Sequence, residues 1–110
     1  MLTVLEATVA PERVADLQAA FHNAATQVPS GLVRSHLVTA VADPTRWRIE
    51  TLWTSREALA AMRQAGTPAG VLMFRAAGAE PTLSVYDVAF TIEAPLEGHT
   101  PPSAMSAQRA

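Results

Sequence analysis

Arg46-Trp47-Arg48-Ile49-Glu50-Thr51-Leu52-Trp53 places Trp47, Ile49, Thr51 and Trp53 on one parity and Arg46, Arg48, Glu50 and Leu52 on the other. A period of two marks a strand with one face turned to a core. Immediately after it, Thr54-Ser55-Arg56-Glu57 matches the S/T-x-x-E capping box, in which a hydroxyl and a carboxylate satisfy reciprocal backbone donors at a helix start. Ala58, Leu59, Met62 and Ala65 follow at helical spacing, and Gly66 ends the run. The chain therefore passes from strand to helix within a few residues.

Working outward, Leu32 to Ala42 is rich in β-formers and Asp43-Pro44-Thr45 is a turn sequence, so this segment pairs with Arg46 to Trp53 as a hairpin. Pro29-Ser30-Gly31 separates it from a helix over Pro11 to about Val28, whose apolar stripe is Val14, Leu17, Phe21, Ala24, Ala25 and Val28. Leu2 to Val9 reads as the first strand and Thr82 to Ile92 as the fourth. Between them, Thr67 to Pro81 reads as a short helix or an ordered loop, since Val71-Leu72-Met73-Phe74 is apolar but confined by Gly70, Gly78 and Pro81. The order β-α-β-β-α-β is the ferredoxin-like arrangement, an α+β fold with a four-stranded antiparallel sheet and the helices on one face. The domain is expected over residues 1–94, followed by a tail, 95–110, that is flexible or rests on a partner. Apolar residues fall on both parities of the first and fourth strands, which predicts that a second copy covers the open face of the sheet.

A chain of 110 residues makes one domain, and 49% hydrophobic with 16% charged residues excludes an intrinsically disordered one. Its net charge is −2, it contains no Lys, and its Arg residues are scattered from Arg13 to Arg109, so nucleic acid is not expected as a partner. The lack of Cys excludes disulfides and thiolate chemistry and suits a reducing cytoplasm. No apolar run approaches the roughly 18 residues of a membrane span and the first residues do not resemble a signal peptide, so a cytoplasmic protein with no membrane partner is expected. Three His in three separate elements give no metal-ligand spacing, and there is no phosphate loop, nucleophile elbow or dinucleotide fingerprint, so neither metal nor cofactor is expected.

Pro29-Ser30-Gly31-Leu32, Asp43-Pro44, and above all Arg46 through Leu59, with Trp53 closing the strand ahead of Ser55-Arg56-Glu57-Ala58-Leu59, resemble the antibiotic biosynthesis monooxygenase family. The resemblance runs from Leu2 to Ile92. It implies a dimeric α/β barrel with a cavity between sheet and helices, and a cofactor-independent monooxygenase acting on a small phenolic, quinol or polycyclic aromatic substrate. The alternative is a barrel that binds a small ligand, or serves in stress, without catalysis. Two departures stand out. Where family members commonly carry His in or after the second helix, this chain reads Ala61-Met62-Arg63 and Thr67-Pro68-Ala69. Where the haem-degrading branch has Asn late in the first strand, it reads Glu6-Ala7-Thr8. Haem is therefore not an expected ligand.

Seven residues follow as candidates. His36 could take a phenolic proton, an imidazole having a reference pKa of about 6.5; Trp53 could stack on an aromatic substrate or simply fill the core. Arg34 could hold an anionic group or pair with an acid such as Glu50. Met62, Leu72 and Phe74 could form the cavity wall, and the Tyr86 hydroxyl could orient a ligand oxygen or lie at the interface. His36 alternates with Leu37, so its sharing a cavity with Trp53 depends on the register of the hairpin.

Overall fold

The computed structural model describes residues 1–95. β1 (Leu2–Thr8) leads through a 3-10 turn at Pro11–Arg13 into α1 (Val14–Ala24), and the hairpin β2 (Leu32–Ala40) and β3 (Asp43–Trp53) follows. Then come α2 (Arg56–Gln64), α3 (Ala69–Ala76) and β4 (Thr82–Tyr86). The sheet is antiparallel in the order β2-β3-β1-β4, the ferredoxin-like arrangement anticipated from the element order. Among the described residues no helix is long and apolar enough to cross a membrane.

Register decides what each face presents. On the helix side three cross-strand rows follow one another: Thr39-Trp47-Ala7, Leu37-Ile49-Leu5-Leu83 and Ser35-Thr51-Thr3-Val85. On the other face the rows are Val38-Arg48-Glu6-Thr82, His36-Glu50-Val4-Ser84 and Arg34-Leu52-Leu2-Tyr86. α1 and α3 pack on the helix side, where Phe74, Leu17 and Val9 are fully buried beside Leu5, Ala7, Trp47 and Ile49. Gly70 admits this approach, because a Cβ there would lie 2.6 Å from Leu5 Cδ1.

Four expected boundaries move, each for a local reason. The hairpin turn is Val41-Ala42, not Asp43-Pro44-Thr45; Asp43 pairs with Ala40, and its Oδ1 accepts hydrogen bonds from Thr45 N at 3.1 Å and Thr45 Oγ1. The first helix begins as a 3-10 turn and ends at Ala24, where the chain turns towards Pro29. Ser55, not Thr54, caps α2, accepting from Ala58 N at 3.1 Å, so Glu57 falls at the second helical position and no capping box closes. Strand four stops at Tyr86 rather than Ile92: Tyr86 is opposite Leu2, and β1 has no residues beyond that point for Val88, Phe90 or Ile92 to pair with. Segment 67–81, expected as a short helix or an ordered loop, contains α3, which packs against α1 and buries Phe74 of its apolar run. Residues 96–110, including His99 and most of the expected tail, lie outside the described residues.

Gly31 holds the β2 start against α2. Its φ is +86°, its carbonyl accepts from Thr54 N at 2.8 Å, and a Cβ on it would overlap Ala58 Cβ. Gly31→Ala should therefore lower the unfolding free energy by about 1–3 kcal/mol, read from the midpoint of a urea titration. On the open face, hydrogen bonds from Arg46 and then Arg48 hold the Glu6 carboxyl below the usual carboxylate range. A carboxylate depressed in the folded state contributes stability above its unfolded pKa and loses it as pH falls through the folded value. Glu6→Gln is accordingly expected to flatten the decline of Tm below about pH 4, and a Tm that keeps its acid slope would show that this ion pair contributes nothing.

Candidate functional site

Beyond the Leu5-Ile49 row the dry core gives way to a cavity of about 270 Å³ between the sheet and the helices. Its floor is the helix face of the sheet: Thr3, Leu5, Ser35, Ile49, Thr51 and Trp53. Phe21, Ala24 and Val28 close one side from α1 and the turn after it, Leu59 and Met62 another from α2, and Gly70, Val71 and Met73 the third from α3. A β-bulge between Leu32 and Arg34 adds Val33 to β2, so Leu32 faces the cavity beside Trp53 although Ser35, of opposite parity, faces it too.

The floor carries a row of hydroxyls that the sequence analysis did not single out. Ser35, Thr51 and Thr3 are cross-strand neighbours on β2, β3 and β1. Ser35 Oγ and Thr51 Oγ1 share a hydrogen bond of 2.9 Å, and Thr3 Oγ1 lies 3.5 Å from the Thr51 carbonyl. Trp53 Nε1 donates to Thr3 Oγ1 at 3.1 Å, which satisfies the indole and fixes its plane. Thr3, Thr51 and Trp53 are each buried. Each hydroxyl retains donor or acceptor capacity, so the row can meet a ligand oxygen in a setting where hydrogen bonds are stronger than in water. Their signal in the sequence was a short hydroxyl at the core parity of three strands: Thr3 with Leu5 and Ala7, Ser35 with Leu37, Thr51 with Ile49 and Trp53.

Of the candidates, the structure brings Trp53 and Met62 together in the cavity. His36 is not there. It is exposed on the opposite face, across from Glu50, and a base must come within hydrogen-bond reach of the proton it removes, so His36 cannot serve a ligand bound beside Trp53. Arg34 lies on that face too, opposite Leu52, and the acid expected to pair with it, Glu50, meets Arg48 instead at 3.6 Å. Tyr86 is 53% exposed beside Leu2, again away from the cavity. Phe74 is buried in the core below the cavity rather than in its wall, and Leu72 is exposed on the outer side of α3. Of the apolar run, Val71 and Met73 supply the wall. Among the described residues the lining contains no carboxylate, imidazole or amine, and the charged side chain they bring to it is Arg63, at the end of α2. Among the described residues no cluster of three or more His, Cys, Asp or Glu could hold a metal ion.

A ferredoxin-like domain with a largely apolar cavity between sheet and helices is a small-ligand scaffold. The chain belongs to the antibiotic biosynthesis monooxygenase family, whose sequence profile matches residues 1–67, from β1 through α2. Similar solved structures agree on the fold. A proposed antibiotic biosynthesis monooxygenase from Deinococcus radiodurans is 17% identical, with 86% of this chain and 99% of that one covered and a TM-score of 0.63. SnoaB, a cofactor-independent oxygenase from Streptomyces nogalater, is 18% identical over 83% of this chain and 94% of its own, also at 0.63. A further proposed antibiotic biosynthesis monooxygenase, from Caulobacter crescentus, is 20% identical over 81% and 90%, at 0.61. No curated protein matches the chain.

Thr3→Val removes the acceptor of the Trp53 indole and should cost about 1–3 kcal/mol of stability, the penalty of an unsatisfied buried donor. Combining it with Trp53→Phe removes both partners. A double-mutant cycle in urea should then return a coupling of about 1 kcal/mol, and strict additivity would mean that the indole and hydroxyl do not interact.

Proposed function

We propose that this protein is a cofactor-independent monooxygenase whose substrate is a small, flat phenolic, quinol or polycyclic aromatic compound bound against Trp53. The observation that carries the reading is the cavity itself: apolar walls, an indole edge and one row of hydroxyls suit a flat ring system bearing an oxygen. Family membership and the likeness to SnoaB support oxygen chemistry of this class. At about 270 Å³ the space lies near the lower end of small-molecule pockets, ~300–1,000 Å³.

With no carboxylate, imidazole or amine in the lining among the described residues, water is the proton acceptor in this scheme. The substrate anion passes one electron to dioxygen, and the two radicals combine to a peroxide. Loss of water then leaves a carbonyl, so a ring methylene or its phenol tautomer keeps one oxygen atom and the other departs as water. The enzyme contributes by excluding bulk solvent, holding the ring plane on Trp53 and placing hydroxyl donors at the oxygen where charge develops. The same lack of an acid–base residue favours a second reading, a barrel that binds such a compound without transforming it.

The functional unit in this proposal is a homodimer formed through the open sheet face. Leu2, Leu52 and Tyr86 make an apolar row there, and Phe90 and Ile92, 94% and 98% exposed, add surface that a second copy would cover. Its Cys-free composition suits the cytoplasm.

Oxygen consumption with a panel of anthrones and hydroxynaphthoquinones tests the reaction. Turnover on at least one member is expected, with binding but no oxygen uptake supporting the binder instead. His36→Ala should change turnover less than about twofold, against the 10²-fold or more that loss of a general base would cause. Trp53→Phe should lower affinity by about 3- to 10-fold, because the smaller ring offers less stacking area and loses the Thr3 hydrogen bond that fixes its plane. Light scattering at micromolar concentration should give twice the chain mass, and a stable monomer would remove the dimer from the proposal.

A further inference from the structure

Arg13, Arg46, Arg48, Arg56 and Arg75 each meet a carboxylate: Asp16, Glu6, Glu6 with Glu50, Asp87 and Glu80. Among the described residues Arg34 and Arg63 have no such partner. Arg34 is on the open sheet face, whereas Arg63 borders the cavity. It is exposed, as are Gln27 and Val28 across the lining, so these three form part of the mouth while Thr3, Thr51 and Trp53 form the buried floor. A guanidinium stays protonated at any working pH, and it offers up to five N–H donors in a planar fork that fits two oxygens of one anion. Among the described residues the cavity thus has a neutral, hydroxyl-lined floor and a permanent cation at its rim without a carboxylate partner, and none of the lining side chains is acidic.

We infer that Arg63 determines specificity, selecting aromatic ligands that enter as anions, with an ionised phenol or carboxylate oxygen on its guanidinium and the ring system against Trp53. This rests on the ligand site put forward above and narrows it to one substrate class. It also bears on the missing base. A phenol that arrives ionised has already given to solvent the proton whose loss precedes electron transfer, so a lining with no His, Asp, Glu or Lys among the described residues does not have to remove it. Neutral aromatics of the same shape fit the walls and the hydroxyl floor but leave Arg63 without a counter-charge, and they lack the charge-assisted part of the binding free energy.

Matched probes separate charge from shape. A naphthoquinone with its hydroxyl on the quinone ring is a vinylogous acid and is anionic at neutral pH; its methyl ether is neutral and nearly the same size. Calorimetric titration of the wild-type protein should show the anion bound about tenfold or more tighter than the ether, as for a charge-assisted hydrogen bond partly open to solvent. In Arg63→Gln the two should bind alike, through weakening of the anion alone, and Arg63→Lys should restore part of the preference. A carboxylated naphthalene set against its amide repeats the comparison with the other oxyanion, and preference for only one of the two acids identifies which is held. Equal wild-type affinities for both members of each pair, or an Arg63→Gln loss shared by anion and ether, would overturn the assignment while leaving the cavity as a ligand site. No binding of any probe would overturn both. Anion preference without oxygen uptake would keep the assignment and remove the monooxygenase.

Discussion

The pairing of Thr3 with Thr51, and of Thr51 with Ser35, is the constraint on which the rest of this structure depends. Side chains alternate across a sheet with period two, so this one register sets every face at once: Leu5, Ala7, Ile49 and Trp53 towards the helices, Glu6, Arg48, Glu50 and His36 away from them. A slip by one residue in β1 would bury Glu6 and expose Leu5, exchanging a paired carboxylate for an apolar core residue. Burial of Trp47, Ile49 and Trp53 on one side and the Arg46-Glu6-Arg48 ion pairs on the other both favour the observed pairing. The apolar side contributes most, because ion pairs open to solvent are screened and add little.

From that register comes a division of labour between the faces. Ala7, Trp47, Leu5, Ile49 and Leu37 make the central helix face apolar as far as the Leu5-Ile49 row, and Phe74 and Leu17 pack with it. One row further on, hydroxyls replace methyl groups, and Leu59 is the single buried residue that α2 brings. The cavity opens at that change. Its polarity is arranged in order, from buried Thr and Ser hydroxyls on the floor to the Arg63 guanidinium at the rim. The open face has a different gradient, from Leu52, Leu2 and Tyr86 at one end to the Glu6, Arg46 and Arg48 cluster at the other.

Much of this architecture is legible in the sequence. The alternation from Arg46 to Trp53 and the apolar stripe of α1 are strong periodic signals, and both faces follow the expected parity. β2 was harder to read because neither parity is clearly apolar: Val33, Ser35 and Leu37 alternate with Arg34, His36 and Val38, and the bulge at Val33 is invisible without the partner strand. That ambiguity made His36 a candidate for a cavity it does not border. β4 was read too long because Val88, Phe90 and Ile92 keep a strand-like pattern, while hydrogen bonding needs a neighbour that ends at Leu2. The hydroxyl row went unnoticed since each Thr or Ser is unremarkable alone, and only cross-strand pairing puts the three together.

The most direct test of the ligand site uses the two tryptophans as internal reporters. Both indoles donate hydrogen bonds, Trp53 to Thr3 Oγ1 inside the cavity and Trp47 to the Pro44 carbonyl at the far end of β3, 3.1 Å in each case. Their N–H resonances in a proton–nitrogen correlation spectrum can be assigned with Trp47→Phe and followed during titration with hydroxynaphthoquinone. A ligand bound between sheet and helices should shift the Trp53 indole resonance and leave that of Trp47 in place. A saturable titration that moves the backbone signals of Arg34, His36 and Tyr86 while the Trp53 indole stays fixed would put the ligand on the open face and contradict the cavity as the functional site.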